Sequence, residues 1–69
     1  MVPSPAEDDR QLIKRVRHDL NNALTAVIGQ TQLLLREELS ETAKQRLEII
    51  EQLAVRAADT VDRLREAEH

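Results

Sequence analysis

Apolar residues recur every three or four positions along most of the chain, which is the period of an α-helix and not that of a strand. In the first half, Ile13, Leu20, Val27 and Leu34 follow one another at intervals of seven residues. Apolar or small residues flank this row on both sides, namely Leu12, Val16, Ala23, Leu24, Ala26, Thr31 and Leu33. A stripe this broad predicts a helix that packs against more than one neighbour.

The second half carries a narrower and more regular pattern. Its apolar residues follow one another at spacings of 4, 3, 4, 3, 4 and 3, at Ala43, Leu47, Ile50, Ala54, Ala57, Val61 and Leu64. This is a heptad repeat, which is typical of a helix that packs along one seam. The pattern predicts a second helix.

Polar residues mark the start of the first helix. Ser4 can cap it, Pro5 suits the first helical position, and Glu7 stands three residues after Ser4, as in a capping box. We therefore expect a flexible segment at residues 1–4 and a first helix over about 5–37.

A polar stretch between the two patterns predicts a turn. Within it, Ser40 is a candidate N-cap for the second helix, and Thr42 followed by Gln45 is an alternative capping box. We place the turn at about 38–41 and the second helix at about 42–67, so that one helical hairpin occupies about 5–67.

The composition agrees with long helices and excludes other classes. The 69 residues include one glycine, two prolines, no cysteine and no aromatic residue. Sheets with many turns need more glycine and proline, and a chain without cysteine has no disulfide or thiolate metal site. His18 and His69 lack a ligand-like spacing with nearby carboxylates, so we expect no metal site.

Charge and hydropathy limit the partners. A net charge of −3 and the lack of aromatic residues argue against nucleic acid. The longest apolar run, Leu33 to Leu35, is far shorter than the roughly 20 residues that span a bilayer, so we expect no membrane contact by this segment and a cytoplasmic location. A chain with a single glycine has no glycine-rich phosphate loop, so we expect it to bind no ATP by itself.

The predicted fold is all-α, an antiparallel two-helix hairpin. Such a hairpin would leave the wide stripe of the first helix in water, and a chain this short buries too little surface to be comfortably stable alone. Two hairpins related by a two-fold axis close a four-helix bundle. We therefore expect a homodimer.

The candidate chemistry lies on the outer side of the first helix. If Ile13 and Leu20 take heptad position a, His18 falls at f, away from the core, with Asn21 and Asn22 one turn further on and Asp19 beside it. An unprotonated imidazole is a good nucleophile near neutral pH, a carboxylate can accept a proton, and a carboxamide can hold a water or a phosphoryl oxygen.

The run from His18 to Gly29 resembles the H-box, the phosphoacceptor helix of sensor histidine kinases. That family has a His followed by an acidic residue, an apolar residue, two polar residues, usually a Pro, then Leu, and a Gly eleven positions after the His. His18, Asp19, Leu20, Leu24 and Gly29 match this pattern. The resemblance extends over about residues 9–65, the dimerisation and histidine-phosphotransfer domain, which in this family is a helical hairpin that dimerises.

Two features depart from the family pattern. Ala23 stands where the family usually has Pro, so the sequence does not encode a proline kink. Asn21-Asn22 replaces the commoner Arg-Thr pair.

The resemblance implies the chemistry. His18 would be phosphorylated by ATP, bound with Mg²⁺ on a separate catalytic domain, and would pass the phosphoryl group to an aspartate of a response-regulator receiver domain. Asp19 matches the base of the kinase reaction. Asn22 matches the residue that places water when the bundle assists regulator dephosphorylation.

Other interpretations stay open at this point. The chain could be a purely structural helical-hairpin or coiled-coil oligomerisation domain without chemistry, or a monofunctional phosphotransfer protein that needs His18 but not Asp19. A basic run precedes His18 and consists of Arg10, Lys14, Arg15 and Arg17. It could attract the phosphates of ATP or the acidic pocket of a receiver domain, or it could be a solvated face without a binding role. Gly29 either leaves room for a partner or is tolerated at an exposed site.

Overall fold

The computed structural model describes residues 5–68 as two long helices followed by a short one. The helices are α1 (Pro5–Leu34), α2 (Glu41–Asp62) and a 3₁₀ helix (Arg63–Glu68). Residues 5–68 contain no strand. A short connection joins α1 to α2 and the two helices pack against each other, so they form an antiparallel hairpin. The predicted all-α hairpin is confirmed, whereas the predicted flexible segment 1–4 and the Ser4 cap lie outside the described residues.

The first helix begins at Pro5, as the sequence predicts, but ends at Leu34, before the expected boundary near residue 37. Beyond Leu34 the chain tightens into two successive i→i+3 turns. The N–H of Arg36 donates to the Leu33 carbonyl at 3.2 Å, and that of Glu37 donates to the Leu34 carbonyl at 3.0 Å. Such turns satisfy carbonyls at a helix end without a capping glycine.

The second helix begins at Glu41, with Ser40 as its N-cap. Of the two capping arrangements that the sequence allows, the structure has the Ser40 arrangement. At the other end, α2 passes at Arg63 into the 3₁₀ helix, where the sequence predicts a continuous α-helix to about residue 67. The 3₁₀ helix still packs against α1, and Leu64 within it is half-buried.

The row of α1 that faces α2 contains polar as well as apolar residues. Apart from Gly29, the residues least exposed on α1 and just beyond it are spaced by three or four, at Ile13, Arg17, Asn21, Leu24, Ile28, Thr31 and Leu35. Opposite them, the buried and half-buried residues of the second half include Ala43, Leu47, Ala54, Ala57, Ala58, Val61 and Leu64. The heptad predicted for the second helix is therefore confirmed except at Ile50, which is exposed.

The four apolar residues of the first helix that are spaced by seven, Ile13 to Leu34, form a row that lies beside this interface. Leu20, Val27 and Leu34 are all exposed, and only Ile13 of that row is half-buried. Leu12 and Val16 extend the exposed apolar surface on α1, and Ile49, Ile50 and Leu53 are its counterparts on α2. We call this surface the open apolar face. A single hairpin thus leaves much of its wide stripe in water, as the sequence predicts.

Helix rotation explains why these residues form one face. Each residue turns an α-helix by about 100°, so Leu20 and Val27 lie some 55–75° from the centre of the row that faces α2. On α2, Ile50 is rotated by about 25° and Leu53 by about 85° from the centre of the row that faces α1, and the antiparallel arrangement brings them to the same side of the hairpin as Leu20 and Val27. Within residues 5–68, neither helix is long and apolar enough to cross a membrane.

Candidate functional site

His18 lies near the middle of α1 and is exposed. It is rotated by about 105° from the centre of the row that faces α2, and by about 160° from Leu20 on the open apolar face. The imidazole is therefore on a third side of the hairpin, away from both apolar surfaces. This agrees with the outward position predicted from the heptad.

Asp19 and Asn22 are exposed near His18. Asn22 lies one helical turn further along α1 and is rotated by only about 40°, so it shares the His18 side, whereas Asp19 is rotated by about 100°. Within the part of the chain that the structure describes, the side chains of His18, Asp19 and Asn22 form no hydrogen bond or ion pair. All three can therefore reach a molecule that approaches from solvent.

Asn21 and Arg17 differ from their predicted positions. The sequence groups Asn21 with His18 on the exposed side, but the structure has it half-buried with its Oδ1 atom buried and without a hydrogen-bond partner. Arg17 is only 6% exposed, so it is not part of a solvated basic face. Both residues belong to the row that faces α2, where a buried and unpaired acceptor costs about 1–3 kcal/mol.

The match to known proteins decides the family. A family model, the His Kinase A (phospho-acceptor) domain, matches residues 8–69. The chain belongs to this family. The match includes both helices and the turn, so the resemblance read from the H-box is confirmed for nearly the whole chain. No curated protein and no solved structure matches the chain.

In this His Kinase A domain, the candidate residues His18, Asp19 and Asn22 lie on an open helix surface. No enclosed pocket is present in the described part of the hairpin. Small-molecule sites are usually concave and bury most of their ligand, which an exposed helix side cannot do. A molecule that reaches His18 therefore meets it on this open side of the helix.

Two basic residues flank this surface. Lys14 is exposed one turn before His18 and rotated by about 40° from it, and Arg15 is exposed about 60° away on the other side. Arg10, although exposed, is rotated towards the α2 side. Of the basic run in the sequence, only Lys14 and Arg15 adjoin the phosphoacceptor candidate.

Gly29 lies on the same side of α1 as His18, eleven residues further on. A Cβ atom added at Gly29 would meet nothing within 4 Å, and no residue among those described has a positive φ. Neither a close approach of α2 nor an unusual backbone conformation requires glycine at this position. Within the hairpin, Gly29 is therefore a tolerated helical glycine.

Proposed function

We propose that His18 is the phosphoacceptor of this His Kinase A domain. An unprotonated ring nitrogen attacks the γ-phosphorus of ATP, which is held with Mg²⁺ on a separate catalytic domain. The N–P bond forms while the bond from the γ-phosphorus to its bridging oxygen breaks, and ADP leaves. The supporting observation is the exposure of His18 in mid-helix, on the side away from both apolar surfaces.

Asp19 and Asn22 have separate roles in this proposal. Attack by neutral imidazole leaves a positive ring, and Asp19 accepts the proton of the other ring nitrogen. A receiver aspartate then attacks the phosphorus, so that the N–P bond breaks and an acyl phosphate forms. Asn22, one turn from His18, orients the water that later hydrolyses that acyl phosphate.

The open apolar face supports a homodimer. An exposed apolar surface that follows both helices is unusual for a monomeric soluble domain and marks an interface. A second copy placed against it by a two-fold axis would bury Leu20 and Val27 of each chain and leave both His18 side chains in solvent. Because the catalytic domain that phosphorylates His18 uses ATP, which is found inside cells, we assign this segment to the cytoplasm.

One labelling experiment tests the phosphoacceptor role. The chain is incubated with ATP and the catalytic domain of a histidine kinase, and the product is examined for an acid-labile phosphate on His18. We expect label on the wild-type chain and none on His18→Gln. Equal label on both chains, or no label under conditions that label a known H-box, would favour the purely structural oligomerisation domain.

A further inference from the structure

The turn of α1 that carries His18 faces α2 with polar side chains. His18 forms no hydrogen bond or ion pair within residues 5–68, so the backbone of this turn alone sets the position of its imidazole. Of the side chains from residue 17 to residue 21, those withdrawn from solvent are Arg17 and Asn21. Both belong to the row that faces α2, so they lie between this turn and the second helix.

The surroundings of Asn21 explain why its Oδ1 atom has no partner. Because both helices rise equally per residue, equal steps back from Leu34 and on from Glu41 bring Asn21 level with Ala54, and Arg17 level with Ala58. Alanine side chains leave room for a polar neighbour but have no hydrogen-bond donor to offer. The amide oxygen is consequently buried without compensation.

Stability alone does not account for an asparagine at this position. Elsewhere in the same row the structure has Leu24 and Ile28, and the one other uncharged polar residue, Thr31, donates its hydroxyl to the Val27 carbonyl at 2.7 Å. Thr31 is thus satisfied by its own helix, whereas Asn21 is not. Asn21 has a buried polar atom without a hydrogen-bond partner in the row that faces α2, three residues from His18. Such exceptions to good packing are expected at positions that serve function.

We propose that Asn21 is a positioning residue for His18, acting from the polar layer that it forms with Arg17 between α1 and α2. Asn21 is rotated by only about 60° from His18 and lies between the α2-facing row and the His18 side. It is turned away from the open apolar face, so a second copy would not reach it. Asn21 sets how the His18 turn lies against α2 without touching the phosphoryl group.

The decisive substitution is Asn21→Leu, which replaces the amide with an apolar group of similar size. If Asn21 is a positioning residue, this variant gains stability and loses function together. We expect its melting temperature to rise by about 4–8 °C, because the unpaired acceptor is removed. We expect the maximal rate of His18 phosphorylation to fall by about tenfold at saturating catalytic domain, with the half-saturating concentration unchanged. If Asn21→Leu instead lowers both the melting temperature and the rate of His18 phosphorylation, Asn21 is a merely structural residue and the proposal is overturned.

Thr31→Val is the matched control. It also removes a buried polar group from the α2-facing row, but at a site thirteen residues from His18, and we expect wild-type phosphorylation. If Asn21→Leu does not fold, Asn21→Ala is compared in its place. A wild-type maximal rate in the Asn21 variant would overturn the proposal.

The positioning role of Asn21 rests on the proposed phosphoacceptor role of His18. A second measurement therefore tests the positioning role separately. The imidazole resonances of His18 report its environment without any phosphorylation. They should shift in Asn21→Leu and stay unchanged in Thr31→Val. Unlabelled wild-type protein would contradict the phosphoacceptor role, whereas unchanged His18 resonances in Asn21→Leu would contradict the positioning role alone.

Discussion

The hydroxyl oxygen of Ser40 accepts a hydrogen bond of 3.1 Å from the backbone N–H of Ala43. Ser40 has an extended backbone, with φ −61° and ψ 157°, and its own carbonyl accepts the first bond of α2, from the Lys44 N–H at 3.0 Å. This pair of bonds fixes where the chain turns back towards α1. The start of α2 in turn sets the level at which each α2 residue meets the His18 turn.

Removal of this cap should weaken the hairpin. We expect Ser40→Ala to lower the free energy of unfolding by about 1 kcal/mol, because the Ala43 N–H loses its side-chain acceptor. Thermal unfolding followed by circular dichroism measures the change. Thr42→Ala is the control, since Thr42 belongs to the alternative capping box that the structure does not have, and it should leave stability within about 0.5 kcal/mol. An equal loss in both variants would contradict the assignment of Ser40.

The open apolar face can be tested with a matched pair of valines. Val27 on that face is 43% exposed, and Val55 on α2 is 44% exposed. Val55 is two residues from Leu53 and hence about 200° around α2 from it, on the side that carries His18. A charge at a covered position is costly without a partner, so Val27→Asp should convert the dimer to a monomer, while Val55→Asp should remain dimeric.

Sedimentation of the wild type and both variants measures the effect. A wild-type chain that sediments as a folded monomer near 7.9 kDa would contradict the dimer itself. Dissociation by Val55→Asp, with Val27→Asp still dimeric, would mean that a different face of the hairpin forms the interface.

The helices could be predicted from the sequence because their signals are local. Apolar spacing, Pro5 and the Ser40 cap each act within one or two turns, and the structure has helices where they indicate them. The end of α1 at Leu34 was less predictable, because the apolar pattern continues through Leu35 while the backbone already tightens into i→i+3 turns.

The assignment of faces depends on contacts that the apolar pattern does not encode. The row Ile13, Leu20, Val27 and Leu34 is the most regular in the first helix, yet the row that faces α2 includes Arg17 and Asn21. Small residues on α2, Ala54 and Ala58, leave room for them. A search for spacings of three and four that admitted polar residues between Ile13 and Leu24 would have found this row. The exposed position of His18 could be predicted from the helical period alone, because His18 lies far from both apolar rows.

Substitution of Gly29 tests whether another surface contacts the side of α1 that carries His18. Since an added Cβ meets nothing within 4 Å, Gly29→Ala should raise the free energy of unfolding by about 0.5–1 kcal/mol through helix propensity alone. Thermal unfolding measures the change. Because Gly29 lies away from the open apolar face, the gain should survive dimerisation. A loss of stability would show that another surface approaches this glycine.

Substitution of Asn22 should affect the phosphorylation of His18 and the dephosphorylation of a receiver differently. Its exposed amide lies one turn from His18, where it can orient a water but does not provide the nucleophile. We expect Asn22→Ala to leave the phosphorylation of His18 within about twofold and to slow the domain-assisted hydrolysis of a phosphorylated receiver by about tenfold or more. Labelled His18 and the decay of the labelled receiver are followed in parallel. Thr25→Ala, a change one turn further along the same exposed side, should alter neither rate. Equal loss of both rates in Asn22→Ala would mean that Asn22 supports the position of His18 and does not act on water.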